Sequence, residues 1–187
     1  MVPVIRLMQS LRYALREMQG SIVSDFELIE SINQAASLLY SQMSERFVSF
    51  GMKKAILVVD SSGECSLPSD YVRIHQVGLG GNRIAIPTSY QPTEDGTYRI
   101  IGNMFYAVPG TYSLEYYYIP LRVSNISDDL DVMPSMEVYI SQIALALYGN
   151  NLEKALQIAL NCSQSLAARE TSHFANVGPV QVLGGRI

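Results

Sequence analysis

The side chains best suited to chemistry in this sequence are carboxylates that lie close together in two connecting segments. Glu94-Asp95 and the group Asp128, Asp129 and Asp131 could supply the pair of acids that glycoside hydrolysis uses. One acid of such a pair must keep its proton near neutral pH, and this requires burial. Both groups lie in polar connections, so solvated acids are the favoured interpretation.

The histidines, cysteines and glycines do not have the spacing of a catalytic or metal motif. His75 falls in an expected strand and His173 at an expected helix end, without metal-ligand spacing. Cys65 and Cys162 form no CxxC pattern and are expected to be reduced thiols. No G-x-S-x-G is present, and Gly78-Leu79-Gly80-Gly81 has no following Gly-Lys-Ser/Thr. We therefore predict a protein that is not an enzyme and needs no metal or cofactor.

The composition argues against binding along a nucleic acid and for contacts between proteins. Thirteen Lys and Arg stand against seventeen Asp and Glu, a net charge of -4, so no basic excess is available for phosphate contacts. The longest apolar runs are far short of the roughly 20 residues that span a bilayer. The first residues lack the features of a secretory signal, so the chain is expected to stay where it is made. Charged residues are 16% of the chain, below the usual quarter or so, which predicts surface buried against other subunits.

Helical periodicity dominates the first fifty residues. Apolar residues recur at steps of three and four from Val4 to Met18, which predicts a helix that ends at Gly20. Ser24 and Glu27 form a capping box that opens a second helix. Its apolar stripe continues to Phe50 and predicts a helix reaching Gly51.

The middle of the chain has the pattern of short strands separated by turn residues. Ser61-Ser62-Gly63 has the turn chemistry of a hairpin between residues 55–60 and 64–67. Gly102-Asn103 and Pro109-Gly110 predict further tight turns. Six or seven antiparallel strands result, arranged as a small sandwich or an open barrel.

Helical periodicity returns after Pro120. A polar acidic connection leads to Pro134, which suits the first turn of a helix that ends at Gly149, and Asn150-Asn151 can cap a final helix. The stretch from His173 to Ile187 contains glycines, a proline and apolar residues, and is predicted to be an extended tail. It either docks on another chain, for example by adding a strand to a sheet edge, or packs on its own domain.

These patterns together predict an α+β fold. Helical hairpins at both ends pack as a bundle, with an inserted antiparallel β-sandwich or barrel-like domain and an extended C-terminal tail. The expected divisions are residues 1–53 for the N-terminal helices, 54–123 for the β-domain, 124–172 for the C-terminal helices and 173–187 for the tail.

Arginines of the first helix and tyrosines of the β-domain are candidate contact residues. Arg6, Arg12 and Arg16 precede the first acid of the chain and share one broad helix face, where they pair with acids of a neighbouring subunit or are solvated. Eight of the twelve tyrosines lie between Tyr71 and Tyr118. Tyrosine suits strands and protein interfaces, and a stacking platform for sugars or bases is the alternative.

The order of elements and three segments resemble the head-to-tail adaptor, or connector, proteins of short-tailed bacteriophages. The segments are Leu67-Pro68-Ser69-Asp70-Tyr71-Val72-Arg73-Ile74, Tyr98-Arg99-Ile100-Ile101-Gly102 and Leu114-Glu115-Tyr116-Tyr117-Tyr118-Ile119-Pro120, followed by the helix entry from Asp128 to Leu147. The likeness is densest from Leu67 to Gly149. These segments are structural motifs that turn or end strands, not catalytic ones.

The resemblance implies a structural virion protein at the head–tail junction, made in the host cytoplasm. It implies a ring of identical subunits, with twelve as the expected number, seated beneath the portal protein. Such a ring extends the DNA channel, lets double-stranded DNA pass during genome ejection without sequence-specific binding, and offers a platform to downstream nozzle, hub or fibre proteins. No membrane partner is implied.

Candidate residues for the contacts of such a ring can be named from the sequence, and the three acids are named only because they cluster. The expected portal interface is Phe174, Val177, Pro179, Val180, Val182 and Leu183. The expected subunit interface is Arg6, Arg12 and Arg16. The tail-facing side of the β-domain is expected at Tyr90, Tyr98, Tyr116 and Tyr118, and the channel lining at Asp128, Asp129 and Asp131.

Two other functions stay open from the sequence. A tail-tube or tail-completion protein would also be an oligomeric structural module, but it would bind the tail tube instead of the portal. A tail-associated peptidoglycan hydrolase would need a buried acid with a raised pKa beside a groove.

Overall fold

The structure is a computed structural model that describes residues 1–19, 23–79, 83–92, 94 and 96–176. Side chains are described at the same positions except 16–19 and 171–176. The described part contains four α-helices: α1 (Val4–Gln19), α2 (Asp25–Glu45), α3 (Glu137–Tyr148) and α4 (Leu152–Asn176). Its strands are β1 (Val2–Pro3), β2 (Met52–Val59), β3 (Glu64–Ser66), β4 (Tyr71–Leu79), β5 (Arg83–Ile84), β6 (Ile86–Pro87), β7 (Thr97–Ile101), β8 (Met104–Ala107), β9 (Gly110–Tyr118) and β10 (Asp129–Leu130).

The helices form where the apolar stripes and capping residues predicted them. At the start of α2 the Ser24 hydroxyl accepts a hydrogen bond from the Glu27 amide at 3.3 Å, and the Glu27 carboxylate accepts one from the Ser24 amide at 3.3 Å. The predicted capping box is therefore confirmed. Helix α2 packs against α3 and α4, and α1 packs against α2 and α3.

Helix α2 ends earlier than the apolar stripe predicted. Its last residue is Glu45, because Phe47 adopts a left-handed backbone conformation with φ of +57°. The amides of Phe47 and Val48 donate to the carbonyls of Ser44 and Met43 at 3.3 and 3.0 Å and close the helix. The prediction of a helix reaching Gly51 is therefore wrong, and the last apolar residues of the stripe belong to a turn that leads into β2.

Helix α4 extends further than the sequence predicted. The side chain of Asn151 accepts a hydrogen bond from the Lys154 amide at 3.0 Å and so caps the helix start. No proline or glycine interrupts the chain before Gly178, and the helix continues to Asn176. The expected tail therefore does not begin at His173, and residues 177–187 lie outside the described part of the chain.

The strands form two four-stranded sheets and a two-stranded ribbon. One sheet has the order β2-β9-β4-β5, the other has the order β3-β8-β7-β6, and β1 pairs with β10. All described pairs are antiparallel except β6 with β7. The predicted hairpin across Ser61-Ser62-Gly63 is wrong, because β2 pairs with β9 while β3 pairs with β8, so this turn carries the chain from one sheet to the other.

Aromatic side chains join the two sheets. Phe105 of β8 lies 5.4 Å from the ring of Tyr112 in β9 and 5.5 Å from the ring of Tyr98 in β7, measured between ring centres. All three side chains are buried. The two sheets keep their own edges, so the β-region is an open pair of sheets instead of a closed barrel. The predicted α+β class is confirmed in this form.

Candidate functional site

The helices meet the sheets at a group of charged and tyrosine side chains that we call the junction cluster: Lys53, Asp70, Asp131, Tyr116 and Tyr118. The second residue of β2 is Lys53, whose Nζ lies 2.7 Å from Asp70 Oδ2 and also contacts the Asp131 carboxylate. The same ammonium stands 4.0 Å from the centre of the Tyr118 ring. One cation therefore holds two acids that come from distant parts of the chain.

The tyrosines of the junction cluster connect β9 to helix α2. The Tyr116 hydroxyl donates to Asp70 Oδ1 at 3.0 Å. The Tyr118 hydroxyl donates to the Asp131 carbonyl at 3.2 Å and approaches the Tyr40 hydroxyl at 3.4 Å. The rings of Tyr40 and Tyr118 meet edge-on with centres 4.9 Å apart. Two alternate positions of one strand thus bind the residue before β4 and helix α2.

The electrostatics of the junction cluster suit a structural role. Burial lowers the pKa of Lys53, but its hydrogen bonds with Asp131 and Asp70 outweigh that effect and leave the pKa above its ordinary value. Burial also raises the pKa of Tyr116 and Tyr118, so both keep their protons. A carboxyl group that acts as the acid in hydrolysis must keep its proton, and a neighbouring cation disfavours this. Lys53 places a cation beside both Asp70 and Asp131.

A second connection between α2 and the segment after β9 is a buried amide. Asn33 donates from Nδ2 to the Val123 carbonyl and accepts the Val123 amide on Oδ1, both at 2.9 Å. Both residues are buried. The side chain therefore satisfies both backbone groups of a residue that lies outside any regular element.

The end of α2 is attached to the sheet by an arginine. The Arg73 guanidinium donates to the Ser44 carbonyl and lies 4.2 Å from the centre of the Phe47 ring. Nearby, Glu170 of α4 accepts hydrogen bonds from the amide and hydroxyl of Ser49 at 2.9 and 2.6 Å. Sequence reasoning missed these contacts, because they depend on the positive φ of Phe47 and on pairing across more than a hundred residues.

The predicted subunit-interface arginines have partners inside the chain. Arg6 Nε lies 2.7 Å from Glu137 Oε1, and Arg12 forms an ion pair with Asp25. These pairs join α1 to α3 and to the start of α2. The side chain of Arg16 lies outside the described part of the chain. Contact with a neighbouring subunit stays a prediction for all three arginines.

Three of the four tyrosines assigned to a tail-facing surface are core residues. Tyr98, Tyr116 and Tyr118 are buried, the first between the sheets and the others in the junction cluster. Each is at most 9% exposed, so their rings present little surface to a partner of this folded chain. Tyr90 is exposed, and the tail-facing role stays a prediction for it.

The three candidate channel acids have different surroundings. The carboxylate of Asp128 accepts the amides of Ser124 and Asn125, each at 2.9 Å, and these hydrogen bonds lower its pKa. Asp131 belongs to the junction cluster. Asp129 is exposed on β10, and its carboxylate has no ion-pair partner among the residues that the structure describes.

The expected portal-contact residues fall at the edge of the described chain or beyond it. Phe174 lies in the last turns of α4, where the backbone but not the side chain is described. Val177, Pro179, Val180, Val182 and Leu183 lie outside the described residues. The prediction of a portal contact there stays a prediction.

The other described residues that could take part in chemistry do not come together at one site. An open depression of about 540 Å³ lies beside Tyr71, Arg73 and Tyr98, and its lining contains no carboxylate. Within the described residues no three His, Cys, Asp or Glu side chains are placed to hold a metal ion. Burial raises the pKa of the Cys162 thiol to about 11. In the described part of the chain, no helix combines the length and apolar character that crossing a membrane requires.

Comparison with known proteins gives the family. The model of a family described as SU10 adaptor protein matches residues 5–175. The chain belongs to the SU10 adaptor protein family. The matched region runs from the start of α1 almost to the end of α4, so it contains both large sheets and the junction cluster. A search of curated proteins found no match.

Membership of the SU10 adaptor family confirms the resemblance found in the sequence. The family name indicates a phage adaptor protein, which is a structural kind of virion component. The residues that the structure brings together agree with this class, because the junction cluster and the Asn33 amide are connections between elements and not reacting groups.

Proposed function

We propose that this chain is a head-to-tail adaptor that assembles as a ring beneath the portal of its phage, extends the DNA channel and carries the tail. The observation on which the proposal rests is the family match over residues 5–175. The expected number of subunits is twelve. The function is one of binding geometry, without a chemical step.

The distribution of apolar side chains supports assembly with other chains. Large hydrophobic residues are exposed on both the helical and the sheet parts, including Tyr13, Phe26, Ile56 and Ile84. Exposed apolar residues that recur over several elements are common at protein interfaces. A ring must close through such contacts on two different faces of each subunit.

The negative charge supports passage of DNA through the ring. A net charge of -4 repels phosphate and reduces retention of DNA in the channel. Asp129 is the best candidate lining residue of the three acids, because the carboxylates of Asp128 and Asp131 already have partners. Replacement of Asp129 by Asn in every subunit should slow genome ejection in a fluorescence assay, whereas unchanged ejection would remove Asp129 from the lining.

Native mass spectrometry of the purified protein, alone and mixed with the portal ring of its phage, tests the proposal. The expected result is a stoichiometric complex in which the added mass is about twelve times the subunit mass of 20.7 kDa. A monomer that ignores the portal would contradict it. Binding to tail tube but not to portal would favour a tail-completion protein, and clearing of peptidoglycan in a zymogram would favour a hydrolase.

The proposed portal contact is the apolar segment that follows α4. Removal of residues 177–187 keeps every described residue of α4 and should weaken portal binding without a change in thermal stability. A second variant keeps the length of the chain but replaces Val177, Val180, Val182 and Leu183 with Ser, and it should weaken portal binding as well. If the serine variant binds portal like the unchanged chain, apolar contacts of this segment do not hold the adaptor in place.

A further inference from the structure

One lateral edge of the paired sheets is strand β2, whose only charged residues, Lys53 and Lys54, lie near its start. Its side chains Ile56 and Val58 point away from the core and are each 67% exposed. The backbone of β2 pairs with β9 from Met52 to Val59 without a register shift, and it has no backbone hydrogen bond to any other described strand. Edge strands usually carry a proline, a bulge or a central charge that blocks further pairing, and residues 55–59 have none of these.

The opposite lateral edge is formed by residues 83–87, which we call the corner segment. It joins the sheets because the Ala85 amide donates to Val77 of β4 and the Ile86 amide donates to the Gly96 carbonyl just before β7, both at 2.8 Å. Ala85 points inward and is buried, whereas Ile84 and Ile86 on either side are 61% and 66% exposed. The strand segments at both lateral edges therefore each carry a pair of exposed, β-branched apolar residues.

The charges near the two edges are complementary. Asp60 and Glu64 are exposed at the turn that ends β2 and begins β3. Arg83 is exposed at the start of the corner segment and has no acidic partner within the described residues. An antiparallel approach that sets Val58 opposite Ile84 brings the acidic turn of one edge to the arginine of the other.

We infer that the β2 edge of one subunit packs against the corner segment of a second copy of this chain. The two surfaces differ, so the contact is heterologous and repeats from subunit to subunit, as a closed ring requires. A contact between two β2 edges would instead stop at a dimer. Pro87 lacks an amide hydrogen, so side-chain packing and not a continuous backbone ladder holds the contact. This inference rests on the proposed function, since it assigns the subunit contact of the ring.

Lysine substitutions on each edge test the contact in the presence of the portal ring. Ile56→Lys and Ile84→Lys should each weaken subunit association by about 100-fold, because each places an unpaired charge in an apolar contact. Val138→Lys on α3 is the matched control, since Val138 is also β-branched and 62% exposed. Circular dichroism and thermal melting should be the same for all three variants, since every site is exposed.

Mixing the two edge variants tests the direction of the contact. Ile56→Lys subunits keep an intact corner segment and Ile84→Lys subunits keep an intact β2 edge, so the mixture should form heterodimers of twice the subunit mass but no rings. A charge exchange gives a second test: Glu64→Arg and Arg83→Glu should each weaken assembly at low salt, and the double variant should recover most of the loss.

The outcomes separate this inference from the proposed function. If the unchanged protein neither oligomerises nor binds portal, the proposed function is wrong. The inferred contact between the β2 edge and the corner segment is then wrong as well. If the unchanged protein forms rings and both lysine variants form them equally well, the β2 contact alone is wrong. A double charge variant no better than the single variants would likewise overturn the contact between the acidic turn and Arg83.

Discussion

The clearest stability prediction concerns the buried amide of Asn33. Asn33→Ala removes the partner of both the amide and the carbonyl of Val123, each of which makes a 2.9 Å hydrogen bond in the folded chain. A buried backbone group without a partner costs about 1–3 kcal/mol, so two such groups cost about 3 kcal/mol when water reaches part of the space. Alanine recovers about 0.5 kcal/mol through its higher helix propensity. The expected loss is about 2.5 kcal/mol.

Thermal and urea unfolding monitored by circular dichroism measure this loss. For a chain of this size 1 kcal/mol corresponds to about 2–4 °C, so the melting temperature should fall by about 5–10 °C. Gln34→Ala is the control, because Gln34 lies next to Asn33 on the same helix but is exposed and donates to Glu30 Oε1 at 3.1 Å. A change below 1 kcal/mol for Asn33→Ala, or an equal change for Gln34→Ala, would refute the argument.

Three further predictions concern the backbone, pH and thiol chemistry. Phe47→Gly should be more stable than Phe47→Ala by about 1 kcal/mol in urea unfolding, because both remove the ring but only glycine adopts a φ of +57° without strain; equal stabilities would contradict this. The hydrogen bonds from Ser124 and Asn125 lower the pKa of Asp128 below 3.8, so its contribution to stability is present above that pH and is lost as the pH falls through the folded-state pKa. Asp128→Asn should therefore destabilise the chain at pH 7, and its difference from the unchanged chain should shrink between pH 4 and pH 2. A difference that stays constant over this range would rule out the carboxylate as its source. The buried Cys162 thiol, whose pKa is about 11, should react with a thiol reagent at pH 8 only after unfolding, more slowly than Cys65, and a reversed order would contradict its burial.

Local signals in the sequence predicted the helices well. The Ser24 capping box and the apolar steps of α1 depend on residues within one or two turns, and the structure places both helices accordingly. The end of α2 was missed because the apolar stripe continues past Glu45 while the backbone reverses at Phe47. Phenylalanine seldom adopts a positive φ, so the sequence contains no local signal for that reversal.

Strand pairing could not be predicted in the same way. Turn residues at Ser61-Ser62-Gly63 indicate that the chain bends, but they do not decide which strand each arm joins, and here β2 and β3 pair with different strands. The hairpin between β7 and β8 did follow its turn, where Gly102 has a φ of +58°. Pairing between strands far apart in sequence depends on the packing of the whole core.

The sequence could not predict the junction cluster either, because its residues come from distant parts of the chain. Chain position groups Asp131 with Asp128 and Asp129, whereas in the structure its carboxylate pairs with Lys53. The frequency of tyrosine at interfaces favours a surface position for Tyr116 and Tyr118, yet their hydroxyls donate to partners inside the chain. Polar tips on apolar rings suit either position, and only the fold decides between them.

Strand β9 determines how the chain comes apart as well as how it is held together. The same nine residues pair with β2 and β4, touch the second sheet through Tyr112 and bind α2 through Tyr118. Loss of β9 pairing therefore releases both the sheets and the helices, so the slowest-exchanging backbone amides of the helical and sheet parts should exchange at one common rate. A graft of the sheets alone onto another scaffold would leave one face of this strand without its helix and should misfold.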